Sequence, residues 1–230
     1  MANIIAPIGI MSAMPSEIAM LLSIAGGVKK ENIAAVDYYA GTVHDIPVVI
    51  CWGGVGKVNA AMHTQIMIDR YAPSAIIQNG VAGALSDSLH HFDLVIGNEL
   101  LYHDMPPWIC REFGPLQETY ASDEKLLRLA MQAAPFGHVG RIATGDVFVN
   151  SASLKKEIAA RTQAVCVEME GCAVAHTATL NNVPFIVLRT ISDSADDNAH
   201  ETYDEFEHRA ADRSGEIVIR MLELIAQKSR

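Results

Sequence analysis

Val48-Val-Ile-Cys-Trp-Gly-Gly-Val-Gly-Lys-Val-Asn-Ala60 carries an apolar, β-branched run directly into a glycine-rich turn and the start of a helical pattern. The helical pattern covers 55–71, and a second apolar run at 75–78 follows it. Further runs of this kind stand at 7–11, 94–96, 140–144, 164–167 and 185–190. They are continuous rather than alternating, which predicts strands covered on both faces. Helical stretches at 123–133, 151–161, 170–181 and about 203–227 separate several of them. Strands and helices in alternation imply an α/β sandwich. Residues 38–43, His44-Asp45 and 46–52 read instead as a hairpin, so the central sheet should be mixed.

The 230 residues, half of them apolar, suffice for one substantial core, and a single domain spanning 1–230 is expected. Lysine and arginine number 17 against 27 acidic residues, a formal charge of −10, and no basic run is present to neutralise a phosphate chain. That balance argues against nucleic acid as a partner. No run of about 18 apolar residues is available to span a membrane, and the N-terminal stretch lacks a basic region and a long apolar segment. A cytoplasmic protein is expected. Cys51, Cys110, Cys166 and Cys172 form no CxxC pair and read as buried or free thiols. The nine histidines form no HExxH array, and His90-His91 reads as a solvated turn, so neither a metal nor another cofactor is expected.

Four segments carry candidate chemistry. Gly53-Gly-Val-Gly-Lys-Val58 is not a phosphate-binding P-loop, because Cys51 stands at the first glycine position and Val58 replaces the hydroxyl residue. Its glycines either make a tight turn or admit a ligand close to the backbone. Asn79-Gly-Val-Ala-Gly83 offers the same choice in a second expected turn. Open α/β sheets bind ligands at such strand ends. Glu17 follows Met14-Pro15 at an expected helix start, where an acid can simply complement the helix dipole.

Val165-Cys-Val-Glu-Met-Glu-Gly171 ends an apolar run with Glu168 and Glu170, where ionised carboxylates need a partner or a task. At most one of them is expected to face a given ligand. Arg189-Thr-Ile-Ser-Asp193 closes another apolar run with a cation, hydroxyls and an acid, where an internal Arg189–Glu ion pair is the plain alternative to a catalytic use. Together, Glu17, Glu170, Arg189 and Asp193 suit an oxocarbenium-like transition state. Such chemistry needs an acid for the leaving group and a carboxylate for water.

Ile8-Gly-Ile-Met-Ser-Ala-Met-Pro-Ser-Glu17, Gly54-Val-Gly-Lys-Val58, Asn79-Gly-Val-Ala-Gly83, Thr144-Gly-Asp-Val-Phe148, Val167-Glu-Met-Glu170 and Arg189-Thr-Ile-Ser-Asp193 follow one another in a familiar order. They resemble the 5′-methylthioadenosine/S-adenosylhomocysteine nucleosidases of the nucleoside phosphorylase superfamily, from Ile8 to about Phe206. The resemblance implies a three-layer α/β/α fold around a mixed sheet, a homodimer, an adenine nucleoside as ligand, and hydrolysis to adenine and a 5-thioribose.

It also implies roles. Glu17 would activate water with help from Arg189, Glu170 would hold the ribose hydroxyls, and Met169 would line the sugar. Asp193, oriented by Ser192, would protonate N7 of the base. Phe148 would stack on adenine while the Val149 backbone reads its edge, with Ala82 and Gly83 bordering base and sugar. Met14, Val55 and Tyr203 complete the expected binding residues. The loop 105–120, the longest segment without a clear pattern, would reach toward the partner subunit's 5′ pocket. Arg111 in that loop reads as a solvated cation or as a partner for a carboxylate on the substrate's tail. Tyr203 stands where relatives carry phenylalanine, and Val81 where some carry serine. An aminofutalosine-type nucleosidase, a phosphorylase and a non-catalytic nucleoside-binding relative are the competing readings. Glu17 would repel phosphate, and binding alone does not need the full acid and base set.

Overall fold

A computed structural model describes residues 6–228. In chain order the described residues form β1 (Ile8–Ser12), α1 (Pro15–Ile24), β2 (Gly26–Ile33), β3 (Val36–Val43), β4 (Ile46–Trp52), α2 (Lys57–Tyr71), β5 (Ala75–Ala84) and β6 (Leu94–Tyr102). Then follow α3 (Pro107–Glu112), β7 (Tyr120–Ala121), α4 (Glu124–Ala133), β8 (His138–Thr144), α5 (Ala152–Thr162), β9 (Cys166–Glu168), α6 (Gly171–Leu180), β10 (Phe185–Asp193) and α7 (Ala199–Lys228).

The strands form one mixed sheet, with β1 running parallel to both β4 and β5, and β3 antiparallel to β4. β5 is also parallel to β10, which pairs antiparallel with β6. From β6 the ladder continues through β8 and β9 back to β5, so this half of the sheet closes on itself. Helices cover both faces. α1, α4 and α7 bury Ile18, Leu21, Leu129, Val218 and Met221 against Ile10, Ile50, Ile77 and Leu188. α2 and α6 bury Ala60, Met67, Val174 and Ala178 against Ile76, Val95, Ile142 and Val187 on the other face. Every residue of β10 is buried: its apolar start predicts this, and the polar end, Arg189 to Asp193, is buried with it.

Two expectations need correcting. Asn79-Gly-Val-Ala-Gly83 is not a turn, since β5 continues through it to Ala84. Its glycines serve close approach: a Cβ on Gly80 would collide with Arg189 Nη1 and lie 2.5 Å from Glu17 Oε1, and one on Gly83 would lie 2.7 Å from Asp193 Oδ1. The loop 105–120 is also not without pattern, for it contains the short helix α3 and β7. The hairpin at His44-Asp45 is present, both residues having positive φ, 50° and 65°. A second two-residue turn, Ala34-Ala35, likewise takes φ 50° and 66° and joins β2 to β3. His91 sits in the expected turn but is half-buried, its ring 4.7 Å from that of Phe206. The four cysteines are free and buried.

Candidate active site

The segments leaving β1, β4, β8 and β9, the ends of β5 and β10, and the start of α7 line one cavity of about 460 Å³. That volume lies in the range of small-ligand sites. Glu17 enters it from the first turn of α1, where Pro15 supplies the fixed φ of a helix start. Its Oε2 accepts the backbone N–H groups of Ala13 at 2.8 Å and Met14 at 2.9 Å, so the carboxylate does cap α1. Oε1 accepts the N–H of Val81 at 3.1 Å across the sheet. Burial raises the pKa of Glu17, opposed by the charge of Arg189 and by these three N–H groups.

Asp193 ends β10 and is 3% exposed. Its Oδ2 accepts the Ser192 hydroxyl at 2.9 Å and its Oδ1 the N–H of Ala195 at 2.8 Å. Burial raises its pKa as well, against both of those hydrogen bonds. A carboxyl held toward its neutral form is suited to donating a proton.

Contrary to the expectation that at most one of them faces a ligand, Glu168 and Glu170 both line the cavity: β9 ends at Glu168, and Glu170 stands at the start of α6, yet the two divide two tasks. Glu168 accepts the Arg189 guanidinium and the Thr144 hydroxyl in short contacts, with the N–H groups of Glu170 at 2.9 Å and Gly171 at 2.7 Å. Its oxygens are thereby occupied. Glu170 caps the start of α6 and turns its Oε1 to the N–H of Gly56 at 2.9 Å, with Oε2 3.4 Å from Arg189 Nη2. Burial lifts the Glu170 pKa well above the usual carboxylate range, although Arg189 pulls the other way. Burial also opposes the charge on Arg189, but Glu168, Glu170 and Glu17 outweigh it and hold the guanidinium protonated.

Of the residues singled out from sequence, Glu17, Glu170, Asp193, Met169, Phe148, Val149, Ser192, Ala82, Gly83, Val55, Met14 and Tyr203 all line the cavity. Arg189 does not; it lies fully buried behind the carboxylates, in the ion pair that was its plain alternative. The Tyr203 hydroxyl meets Met14 Sδ at 3.1 Å, which bridges α7 to the segment before α1. Arg111 pairs with Glu118 at 2.8 Å within its own exposed loop and does not line the cavity.

Three features escaped the sequence reading. The expected Arg189–Glu ion pair left its glutamate unnamed, and that buried counterion is Glu168. His200 lines the cavity, with its ring 4.6 Å from Phe148, and nothing in its local sequence marks it. Lys57 does not face a phosphate; its Nζ lies 2.5 Å from Asp104 and 3.6 Å from Asp146. Among the described residues no group of histidine, cysteine and acidic side chains is arranged to hold a metal ion.

Residues 7–223 match the phosphorylase superfamily. The chain is 38% identical over 224 residues to the 5′-methylthioadenosine/S-adenosylhomocysteine nucleosidase of Staphylococcus carnosus, covering 94% of this chain and 98% of that one. It superposes with a TM-score of 0.91 on the nucleosidase of the same name from Neisseria meningitidis, solved with methylthio-immucillin-A, at 32% identity over 96% and 100% of the two chains. It also superposes on the futalosine hydrolase of Helicobacter pylori, with a TM-score of 0.92 and 28% identity over 97% of this chain and 100% of that one.

Proposed function

This chain belongs to the phosphorylase superfamily and, within it, to the 5′-methylthioadenosine/S-adenosylhomocysteine nucleosidases, and from that premise we propose how its cavity works. The enzyme hydrolyses the N-glycosidic bond of a 5′-substituted adenosine, releasing adenine and the 5-substituted ribose. One observation carries the reading: Glu17, fixed by three N–H groups, and Asp193, biased toward its protonated form, both line one cavity.

As C1′–N9 breaks, its electron pair moves to the base, and Asp193 gives a proton to N7 so that adenine leaves neutral. Water bonds to C1′ while Glu17 takes its proton. Glu170 holds the ribose hydroxyls, and Arg189, committed to Glu168, acts from behind by keeping Glu17 able to ionise. Phe148 offers its ring to the base between His200 and Tyr203.

Water rather than phosphate is favoured as nucleophile, because the cations near this end of the fold are already engaged. Arg189 pairs with Glu168, and Lys57 with Asp104. Arg111, paired with Glu118 and not among the residues lining this cavity, lends no support to a tail carboxylate, so it does not favour S-adenosylhomocysteine or an aminofutalosine-like substrate over methylthioadenosine.

We further propose a homodimer through the 105–120 loop, where Trp108 and Phe113 expose 49% and 58% of their surface. The chain would work in the cytoplasm, a placement supported by its free, buried cysteines. Among the described residues no helix is long and apolar enough to cross a membrane.

The test is adenine release from methylthioadenosine, S-adenosylhomocysteine and adenosine, each with and without phosphate. Release independent of phosphate is expected, with the 5′-thio substrates preferred. Dependence on phosphate would overturn the hydrolytic reading.

A further inference from the structure

Lys57, Asp104 and Asp146 come from three separate segments, the start of α2 and the loops after β6 and β8. Lys57 Nζ lies 2.5 Å from Asp104 Oδ2 and 3.6 Å from Asp146 Oδ2. The backbone N–H of Lys57 donates to Asp146 Oδ1 at 2.8 Å, and the N–H of Asp146 donates to Asp104 Oδ2 at 3.0 Å. Both carboxylates therefore serve side-chain and main-chain donors at once, which fixes the loops as well as the charges. The side chains of Lys57 and Asp104 are 21% and 22% exposed, which limits the solvent screening of their pair, while that of Asp146 is 48% exposed.

Two cavity features hang directly on this triangle. Gly56, adjacent to Lys57, has φ 97°, and a Cβ there would lie 3.1 Å from Asp146 Oδ1. Its N–H is the donor that holds Glu170 Oε1 at 2.9 Å. On the other side, Asp146 begins the stretch that carries Phe148 and Val149 into the cavity. A shift of the triangle would move both walls together.

We infer that Lys57, with Asp104 and Asp146, is a positioning residue that sets the orientation of Glu170 toward the sugar through the Gly56 N–H. It touches no reacting atom. The inference rests on the proposed reading of Glu170 as the acid that holds the ribose hydroxyls. Lys57→Met keeps the aliphatic stem and removes the charge that closes the triangle.

The experiment compares kcat/KM for methylthioadenosine with that for its 2′-deoxy and 3′-deoxy forms, in the wild type and in Lys57→Met, Lys57→Arg and Glu170→Gln, with Tm recorded for each. A hydrogen bond to the buried Glu170 carboxyl group is expected to give the wild type a preference for the intact ribose of roughly 10-fold. Lys57→Met is expected to cut that preference at least threefold toward the value of Glu170→Gln, and Lys57→Arg to restore part of it. A purely structural lysine would lower Tm and leave the preference intact, and that result in Lys57→Met overturns the inference. If Glu170→Gln itself leaves the preference unchanged, the reading of Glu170 falls, and the role of Lys57 with it.

Discussion

Glu168→Gln separates the structural task of the Glu168–Arg189 pair from the catalytic task of its neighbours. The substitution keeps volume and shape but removes the charge that faces a fully buried guanidinium. Arg189 would retain only Glu170 at 3.4 Å and the more distant charge of Glu17, and its Nε already lacks a partner. Moreover, a glutamine has one accepting oxygen where the carboxylate now serves the guanidinium, the Thr144 hydroxyl and the N–H groups of Glu170 and Gly171. Breaking a buried pair from one side costs about 3–5 kcal/mol. For a chain of this size each kcal/mol moves Tm by roughly 2–4 °C, so a drop of about 6–20 °C is expected.

Arg189→Met should cost less, because Glu168 would keep the Thr144 hydroxyl and both N–H donors at the start of α6. Urea unfolding monitored by far-UV circular dichroism measures both variants on the same footing. A loss below about 1 kcal/mol in Glu168→Gln would refute the reasoning, as would a larger loss in Arg189→Met, since either result means that the guanidinium is not held chiefly by Glu168.

Asp193→Asn should lose turnover by about 10²–10⁴-fold while gaining stability, because the amide can keep the Ala195 N–H and the Ser192 hydroxyl can turn to accept. The sign follows from the raised pKa. The folded protein holds this proton more tightly than the unfolded chain, so wild-type stability falls as pH rises from 3.8 through the folded value. The Tm gap between variant and wild type should therefore widen from pH 4 to pH 8; a gap that does not change with pH would remove Asp193 as its source. Gly80→Ala forces a methyl group onto Arg189 Nη1 and Glu17 Oε1, and should lower stability by about 1–3 kcal/mol together with activity, as thermal unfolding and adenine release would report. Trp108→Asp should shift the proposed dimer toward monomer in sedimentation velocity; unchanged sedimentation would place the interface elsewhere.

Where the sequence was legible, the reason is that burial on both faces leaves a strong pattern. β10 reads as a continuous apolar run and is buried throughout, and the acids closing such runs meet in the cavity. β2 was not read because it is an edge strand with an almost fully exposed burial pattern. Nor does its turn announce itself, since Ala34 and Ala35 hold the positive φ usually given to asparagine or glycine. His200 was missed for a different reason. Its role depends on where the start of α7 passes Phe148, and no local pattern encodes that long-range placement.

The misreading of Asn79-Gly-Val-Ala-Gly83 shows how the site depends on the sheet itself. Glycines inside a strand look like a turn because they weaken the ladder and offer no side chain to pack. Here the absent side chains leave the room in which two charged groups sit against the backbone. Gly80 is paired with Arg189, and Gly83 with Asp193, in the parallel β5–β10 ladder. Next to Gly80, the Val81 N–H takes one oxygen of Glu17. The spacing between Glu17, the proposed base, and Asp193, the proposed acid, is therefore set by the rise of one strand. Such a spacing is more rigid than two loops could supply, which matters because catalytic groups must be held to within about half an ångström. A larger residue at Gly80 would have to displace Arg189 and Glu17, and one at Gly83 would have to displace Asp193 together with Ala195. The stretch of sequence least like a strand is thus where the strand does most for the chemistry.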